Sequence, residues 1–299
     1  MAGCYAAFHK QLGDLLLMEP AFSRLIAHHG APVMLMTRNG HSDLVSLMPG
    51  VQMVRGLALR PARTLYCFDP LPKSALRAAL APVVKRLLIP PERYEMHWYH
   101  PLLFPSFSSP ELGDSYIAEF FWKNTPVPAH KPFRPPVLTP PPREWAPEGV
   151  EPGRYVLVNA TSGWKKKMWT VSGWTSVLKS LGPKYPCILT SARSEWQLEH
   201  CASIAEATGS KTIPTDMRQF LWLCANARAV LSVDGAASHL AAAFSVPCFT
   251  LFGPTSMANW HHPAPGHIAF QAPADTSGMR RLKDLQPEPV IEALAALGL

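Results

Sequence analysis

The residues able to do chemistry fall into four short patches. Asp14 follows Leu12-Gly13 at the start of a helical pattern, where a carboxylate can cap the helix or take a proton from a hydroxyl placed before it. Thr161 and Ser162 end a strand pattern and precede Lys165-Lys166-Lys167. A flexible ammonium beside two hydroxyls suits a phosphate or diphosphate, although a solvated lysine run on a loop would use the same residues. Asp234 ends the apolar run 230–233, and the small residues Gly235, Ala236 and Ala237 let a helix start close against the strand end. Such a turn aims backbone N–H groups into the crevice where an α/β protein holds phosphate. An ordinary strand-helix turn that binds nothing has the same spacing. Ser238 and His239 follow on that helix, and a second apolar strand, 248–252, runs into Gly253-Pro254-Thr255.

These patches need a frame, and the hydrophobic periodicity supplies one. Residues 13–29 have helical spacing, 32–37 read as a strand, 43–48 as a short helix, 64–68 as a strand and 74–89 as a helix, while the stretch before Leu12 makes a poor strand. Ten prolines crowd residues 126–152, a density that no helix or central strand carries. The pattern then restarts: strand 155–159, helix 171–181, strand 187–190, helices 195–208 and 217–226, the 230–255 segment, and a final helix at 289–297. The alternation is that of an α/β protein. The expected division is an N-terminal domain over 1–135, a Pro-rich linker over 136–152 and a C-terminal domain over 153–299.

Composition narrows the function. A chain of 299 residues accommodates two cores. No run approaches 18 apolar residues, and 12–18 is too short and carries Asp14, so neither a membrane span nor a signal peptide is expected and the protein is placed in the cytosol. The six cysteines are dispersed, without a C-x-x-C pair, which argues against zinc and disulfides alike. The histidine pairs 28–29 and 261–262 lack a supporting carboxylate or cysteine cluster, so no metal is expected. A net charge of +7 favours anionic partners, but the cations are scattered and no nucleic-acid-binding signature accompanies them.

The patches together resemble the lipopolysaccharide heptosyltransferases, glycosyltransferase family 9. Leu12-Gly-Asp-Leu-Leu-Leu-Met-Glu-Pro-Ala21 is similar to that family's opening segment, Lys167-Met168-Trp169 to its Lys-x-Trp loop, and Asp234 with Ser238-His239 and Phe252-Gly-Pro-Thr255 to its nucleotide-sugar motif. The resemblance implies the GT-B fold, two Rossmann-like domains with a cleft between them, the last helix packing back across the hinge. It implies an inverting, metal-independent transferase without a cofactor, moving a heptose-like sugar from a nucleotide-diphosphate donor such as ADP-heptose to an anionic, lipopolysaccharide-core-like glycolipid or glycan. It also allows peripheral association with the inner face of the cytoplasmic membrane. By the same resemblance Asp14 is the catalytic base and Lys167 acts catalytically on the leaving diphosphate. Donor contacts fall on Thr161, Ser162, Lys167, Met217, Asp234, Gly235, Ala236, Ser238, His239, Gly253, Pro254 and Thr255. The chain departs from the family where Gly235-Ala236 replaces a hydroxyl-bearing residue and glycine, and where Thr190-Ser191 replaces a Gly-Gly pair. Those departures keep two alternatives open: a catalytically silent nucleotide-sugar binder, and a GT-B epimerase or transferase of another sugar.

Overall fold

The computed structural model describes residues 3–58, 60–90, 97–108, 110–181, 185–190 and 194–299. The Thr190-Ser191 departure is therefore only half visible, since 191–193 lie outside the described residues. The chain divides into two units, Met1–Thr139 and Pro140–Leu299, and the division falls within the proline-rich stretch.

In the first unit the elements run β1 (Cys4–Ala7), α1 (Leu12–Leu16), α2 (Glu19–His29), β2 (Val33–Met36), α3 (Ser42–Ser46), β3 (Val51–Met53) and β4 (Ala62–Cys67), then α4 (Pro72–Leu80), β5 (Val83–Leu88), α5 (His100–Leu103), β6 (Ser106–Phe107) and α6 (Ile117–Asn124). The strands form one parallel sheet in the order β3-β2-β1-β4-β5-β6. Three local outcomes differ from the periodicity. The stretch before Leu12 is a central strand, β1, buried at every position, because a parallel strand covered on both faces shows no alternation. The helix at 13–29 is two helices, since Pro20 enters as one of the first residues of α2 and cannot continue a helix from α1. The helix at 74–89 ends at Leu80; Pro82 follows, and the β-branched Val83-Val84 begin β5 instead.

The second unit repeats the plan: β7 (Val156–Asn159), α7 (Val171–Leu181), β8 (Cys187–Leu189), α8 (Glu195–Thr208), β9 (Lys211–Thr212), α9 (Met217–Asn226), β10 (Ala229–Val233), α10 (Ala236–Ala243), β11 (Cys248–Phe252), α11 (Met257–Trp260), β12 (His267–Gln271) and α12 (Glu288–Ala296). Its parallel sheet has the order β12-β11-β10-β7-β8-β9. Read from β9, this is the same doubly wound order as in the first unit. α12 packs on α7 and β12 within its own unit. Val158, Leu189, Leu231, Phe249 and Trp174 are buried in this core, and all six cysteines are buried and none forms a disulfide. Among the described residues no helix is long and apolar enough to cross a membrane.

Candidate functional site

In the doubly wound order the crossover direction reverses between β7 and β10, so the loops leaving their carboxyl ends diverge and open a crevice. Asp234 stands at the end of β10, where its N–H donates to Leu251 O and its side chain is only 3 % exposed. Two side chains from other loops meet this carboxylate. Lys167 Nζ lies 2.6 Å from Asp234 Oδ2, and the Thr255 hydroxyl donates to the same oxygen at 2.7 Å. The fold thus joins three of the four sequence patches on one carboxylate. Desolvating Asp234 without a cation would cost several kcal/mol, so the ammonium is a structural requirement in the absence of any ligand. Lys165 and Lys166 are exposed, whereas Lys167 is half-buried, which separates the members of the lysine run.

Lys167 is held by its neighbours. Trp169, two residues on, is buried against Trp174 with ring centroids 5.4 Å apart, and its indole N–H donates to Leu285 O at 3.0 Å. Gly173 makes room for that ring: a Cβ there would come within 2.5 Å of it. Lys167 Nζ also sits 5.3 Å over the exposed Trp164 ring. On the strand side of the loop, Gln197 donates to Ser162 O at 2.9 Å, and Thr161 is buried one residue beyond Ala160.

The loop carrying Thr255 is braced likewise. Gln271 donates to Phe252 O and Gly253 O, and a Cβ on Gly253 would press at 3.0 Å on the backbone nitrogen of Leu282. Gly253 is therefore required by close approach of the short turn Leu282–Asp284. Pro254 is exposed at the tip.

α10 starts directly after Asp234-Gly235, so the first N–H groups of this helix have no intrahelical acceptor. Gly235 is extended, and a Cβ there would find only Val233 O, at 3.8 Å, so nothing steric demands glycine. Ser238 donates its hydroxyl to Gly235 O at 2.8 Å, and His239 is buried with its ring 6.2 Å from Trp260. The Ser238 hydroxyl is thus engaged at the helix start. Met217 begins α9, whose N-terminus is closed by a reciprocal Asp216–Gln219 capping box. Among the described residues no group of three or more histidine, cysteine or acidic side chains is placed to hold a metal ion.

In the first unit Asp14 lies in the first turn of α1, half-buried, with Oδ2 accepting the Gln11 N–H at 3.3 Å. The capping contact exists, but it is long. The corresponding reversal, between β1 and β4, holds another acid. Asp69 is fully buried and accepts from His9 N–H at 2.8 Å, Leu71 N–H at 2.9 Å and the Ser74 hydroxyl at 2.9 Å. Burial pushes its carboxyl above the usual range while these donors pull it back. The His9 ring contacts Ser74 at 2.7 Å, and burial, reinforced by nearby Arg77 and Arg38, lowers it to about 4.

Residues 138–284 match the sequence profile of Glycosyltransferase family 9 (heptosyltransferase). The second unit belongs to glycosyltransferase family 9. Sequence comparison with curated proteins finds no match. Three solved structures share the whole architecture. Escherichia coli heptosyltransferase WaaC with ADP superposes with a TM-score of 0.78 at 18% identity, covering 98% of this chain and 99% of that one. E. coli ADP-heptose lipopolysaccharide heptosyltransferase II gives 0.80 at 18% identity, over 99% and 98%. The family 9 glycosyltransferase of Veillonella parvula gives 0.79 at 12% identity, over 98% and 96%. The protein thus has the GT-B fold and is a glycosyltransferase.

Against this family background, motif matching pointed to the residues of the crevice and not to their braces. Gln197, Gln271 and Leu282 hold the family 9 loops in place without lying in a motif. Trp169 was visible in the Lys-x-Trp match, but its anchoring role emerges only from its contact with Leu285.

Proposed function

We propose that this family 9 protein transfers a heptose-like sugar from a nucleoside-diphosphate donor, with inversion and without a metal ion, to an anionic glycan acceptor of the lipopolysaccharide-core type. The observation that carries the reading is the convergence of Lys167 and Thr255 on Asp234 at the start of α10. A cation, a hydroxyl donor and helix N–H groups there suit a diphosphate. ADP-heptose is the preferred donor, because WaaC has been solved with ADP and with an ADP-heptose analogue, and heptosyltransferase II is named for ADP-heptose.

In this mechanism the acceptor hydroxyl oxygen attacks the anomeric carbon as Asp14 takes its proton. The bond from that carbon to the diphosphate oxygen breaks, and the electron pair leaves with the diphosphate. Lys167 and the N–H groups of α10 are already oriented toward the charge that grows on it, so little reorganisation is needed as the bond breaks. The diphosphate shares the Lys167 ammonium with Asp234, which keeps the cation from swinging into solvent between turnovers. Thr161, Ser162, Met217 and Pro254 complete the donor contacts, and Asp234, Gly235, Ala236, Ser238, His239, Gly253 and Thr255 shape the turn and loop that present them.

Calorimetry of the whole protein with ADP, UDP and GDP, followed by release of free nucleoside diphosphate from ADP-heptose with and without a core glycan, tests the proposal. The expected result is preferential ADP binding and acceptor-dependent release. Absence of affinity for any nucleoside diphosphate overturns it.

A further inference from the structure

Among the described residues of the second unit, Trp164 is the most exposed large apolar side chain, at 64%. It stands in the loop between Ser162 and Lys167, and two contacts tie it to that lysine. The Lys167 N–H donates to Trp164 O at 2.9 Å, closing one turn of the loop, and Lys167 Nζ lies 5.3 Å from the centre of the indole ring, within cation–π range. The ammonium thus has two partners, the Asp234 carboxylate at 2.6 Å and the ring. The Lys167 side chain is only 16% exposed, although the two lysines before it are exposed. A second indole takes up the first lysine of the run: Lys165 Nζ lies 5.5 Å from the ring centre of Trp196 on α8. Two tryptophans therefore sort the cations, and only the third lysine is brought to Asp234.

The two partners of Lys167 differ in what they leave for a ligand. A second carboxylate in place of the ring would pair with the ammonium but give the site a net negative charge, which repels a diphosphate. An indole attracts the ammonium through its ring quadrupole and adds no charge. An ammonium carries three N–H donors, so a carboxylate oxygen and a ring face leave the third for an incoming anion. The backbone bond from Lys167 to Trp164 keeps ring and ammonium in register whatever the side chain of residue 164.

We propose that Trp164 is a positioning residue for diphosphate binding: its ring holds the Lys167 ammonium in the direction from which it meets the diphosphate, and the ring makes no contact with the nucleoside. This role deepens the transferase reading and rests on it for the identity of the ligand. The test is calorimetry of the full chain with two probes, ADP and inorganic pyrophosphate. Trp164→Leu should weaken both by the same factor, about fivefold. Trp164→Phe, which keeps a ring face, should stay within about twofold of the wild type. In a Lys167→Ala background Trp164→Leu should cost nothing further, since the ring acts only through the ammonium. Trp196→Leu, which releases only Lys165, should leave both affinities unchanged. Because Trp164 is exposed, an unchanged unfolding midpoint verifies the fold of its variants. A loss for ADP that pyrophosphate does not share would place the ring against the nucleoside and overturn the proposal. An equal loss in the Lys167→Ala background, or no loss in Trp164→Leu, overturns it too; in each of these cases wild-type affinity for ADP leaves the donor site standing. A wild-type protein without affinity for either probe overturns the donor site itself, and the role of the ring with it.

Discussion

Two aspartates stand at matching places in two sheets of the same strand order, and they are used in opposite ways. Asp69, beyond β4, spends its carboxylate on the His9 and Leu71 N–H groups and the Ser74 hydroxyl of its own unit, with the Lys10 charge nearby. Asp234, beyond β10, is reached by a lysine and a threonine carried on separate loops. The topology offers a crevice in both units, but what meets the acid differs. Two backbone N–H groups and a serine hydroxyl already occupy the Asp69 carboxylate. At Asp234 the donors are a side-chain ammonium and a hydroxyl, and an ammonium can be shared with an added anion.

The largest expected effect lies in the first unit and outside its crevice. Asp14→Asn should slow transfer by roughly 10²–10⁴-fold while ADP affinity changes little, since the amide can still accept from Gln11 N–H but cannot take a proton. Turnover at the wild-type rate would reduce Asp14 to a partner of the α1 start. Next, Lys167→Ala should weaken ADP binding by roughly 10- to 150-fold, with Lys165→Ala near wild type. Because that change also strands Asp234, the double variant Lys167→Ala, Asp234→Asn should regain stability without regaining affinity; recovery of both in calorimetry would mean that the lysine serves the fold alone.

The contrast between the two acids sharpens at Asp69→Asn. Here unfolding should become easier by about 1–3 kcal/mol, as a buried acceptor of charged character is weakened, with ADP affinity preserved. A loss of ADP affinity measured alongside the melt would break the comparison. Gly235→Thr, for which the backbone has room, should tighten ADP binding by about 2- to 12-fold if the restored hydroxyl reaches the diphosphate. Affinity titrations of the two proteins decide it.

The smallest effect is one of pH. His9 and His41 in the first unit and His262 and His267 in the second are held near 4, chiefly by burial. The unfolded chain protonates its histidines near 6.5, so between that pH and about 4 it binds more protons than the native state. Stability is therefore complete above about pH 6.5 and declines as the pH falls toward 4. Thermal melts across this window should show the decline, and His9→Gln should flatten part of it.

Much of the second unit was legible because its strands are continuous apolar runs and its helices have regular spacing and clear ends, as at Glu195–Thr208, which Gly209 stops in a left-handed conformation. The first unit was less so. β1 shows no alternation, the Ala- and Leu-rich pattern of α4 runs on past Pro82 into β5, and the two-residue strands β6 and β9 are too short to leave a period. In the candidate site, Lys167 and Asp234 could each be named from a motif, but their pairing spans 67 positions and depends on β7 lying beside β10. The Asp69 network joins residues 60 and 65 positions apart without any motif, and only strand order reveals it.

Leu282–Leu285 has a consequence out of proportion to its size. Leu285 receives the Trp169 indole that anchors the lysine loop, and Leu282 closes on Gly253, where the threonine loop begins. Two jaws of a clamp thus hang from a single pin located near the end of the chain. A substitution at that pin would loosen both jaws together, and genetics would score it as a donor-site lesion although the side chain touches no donor. Between this chain and proteins that share its fold at only 12–18% identity, such a pin is where drift in one loop would have to be matched by drift in the other.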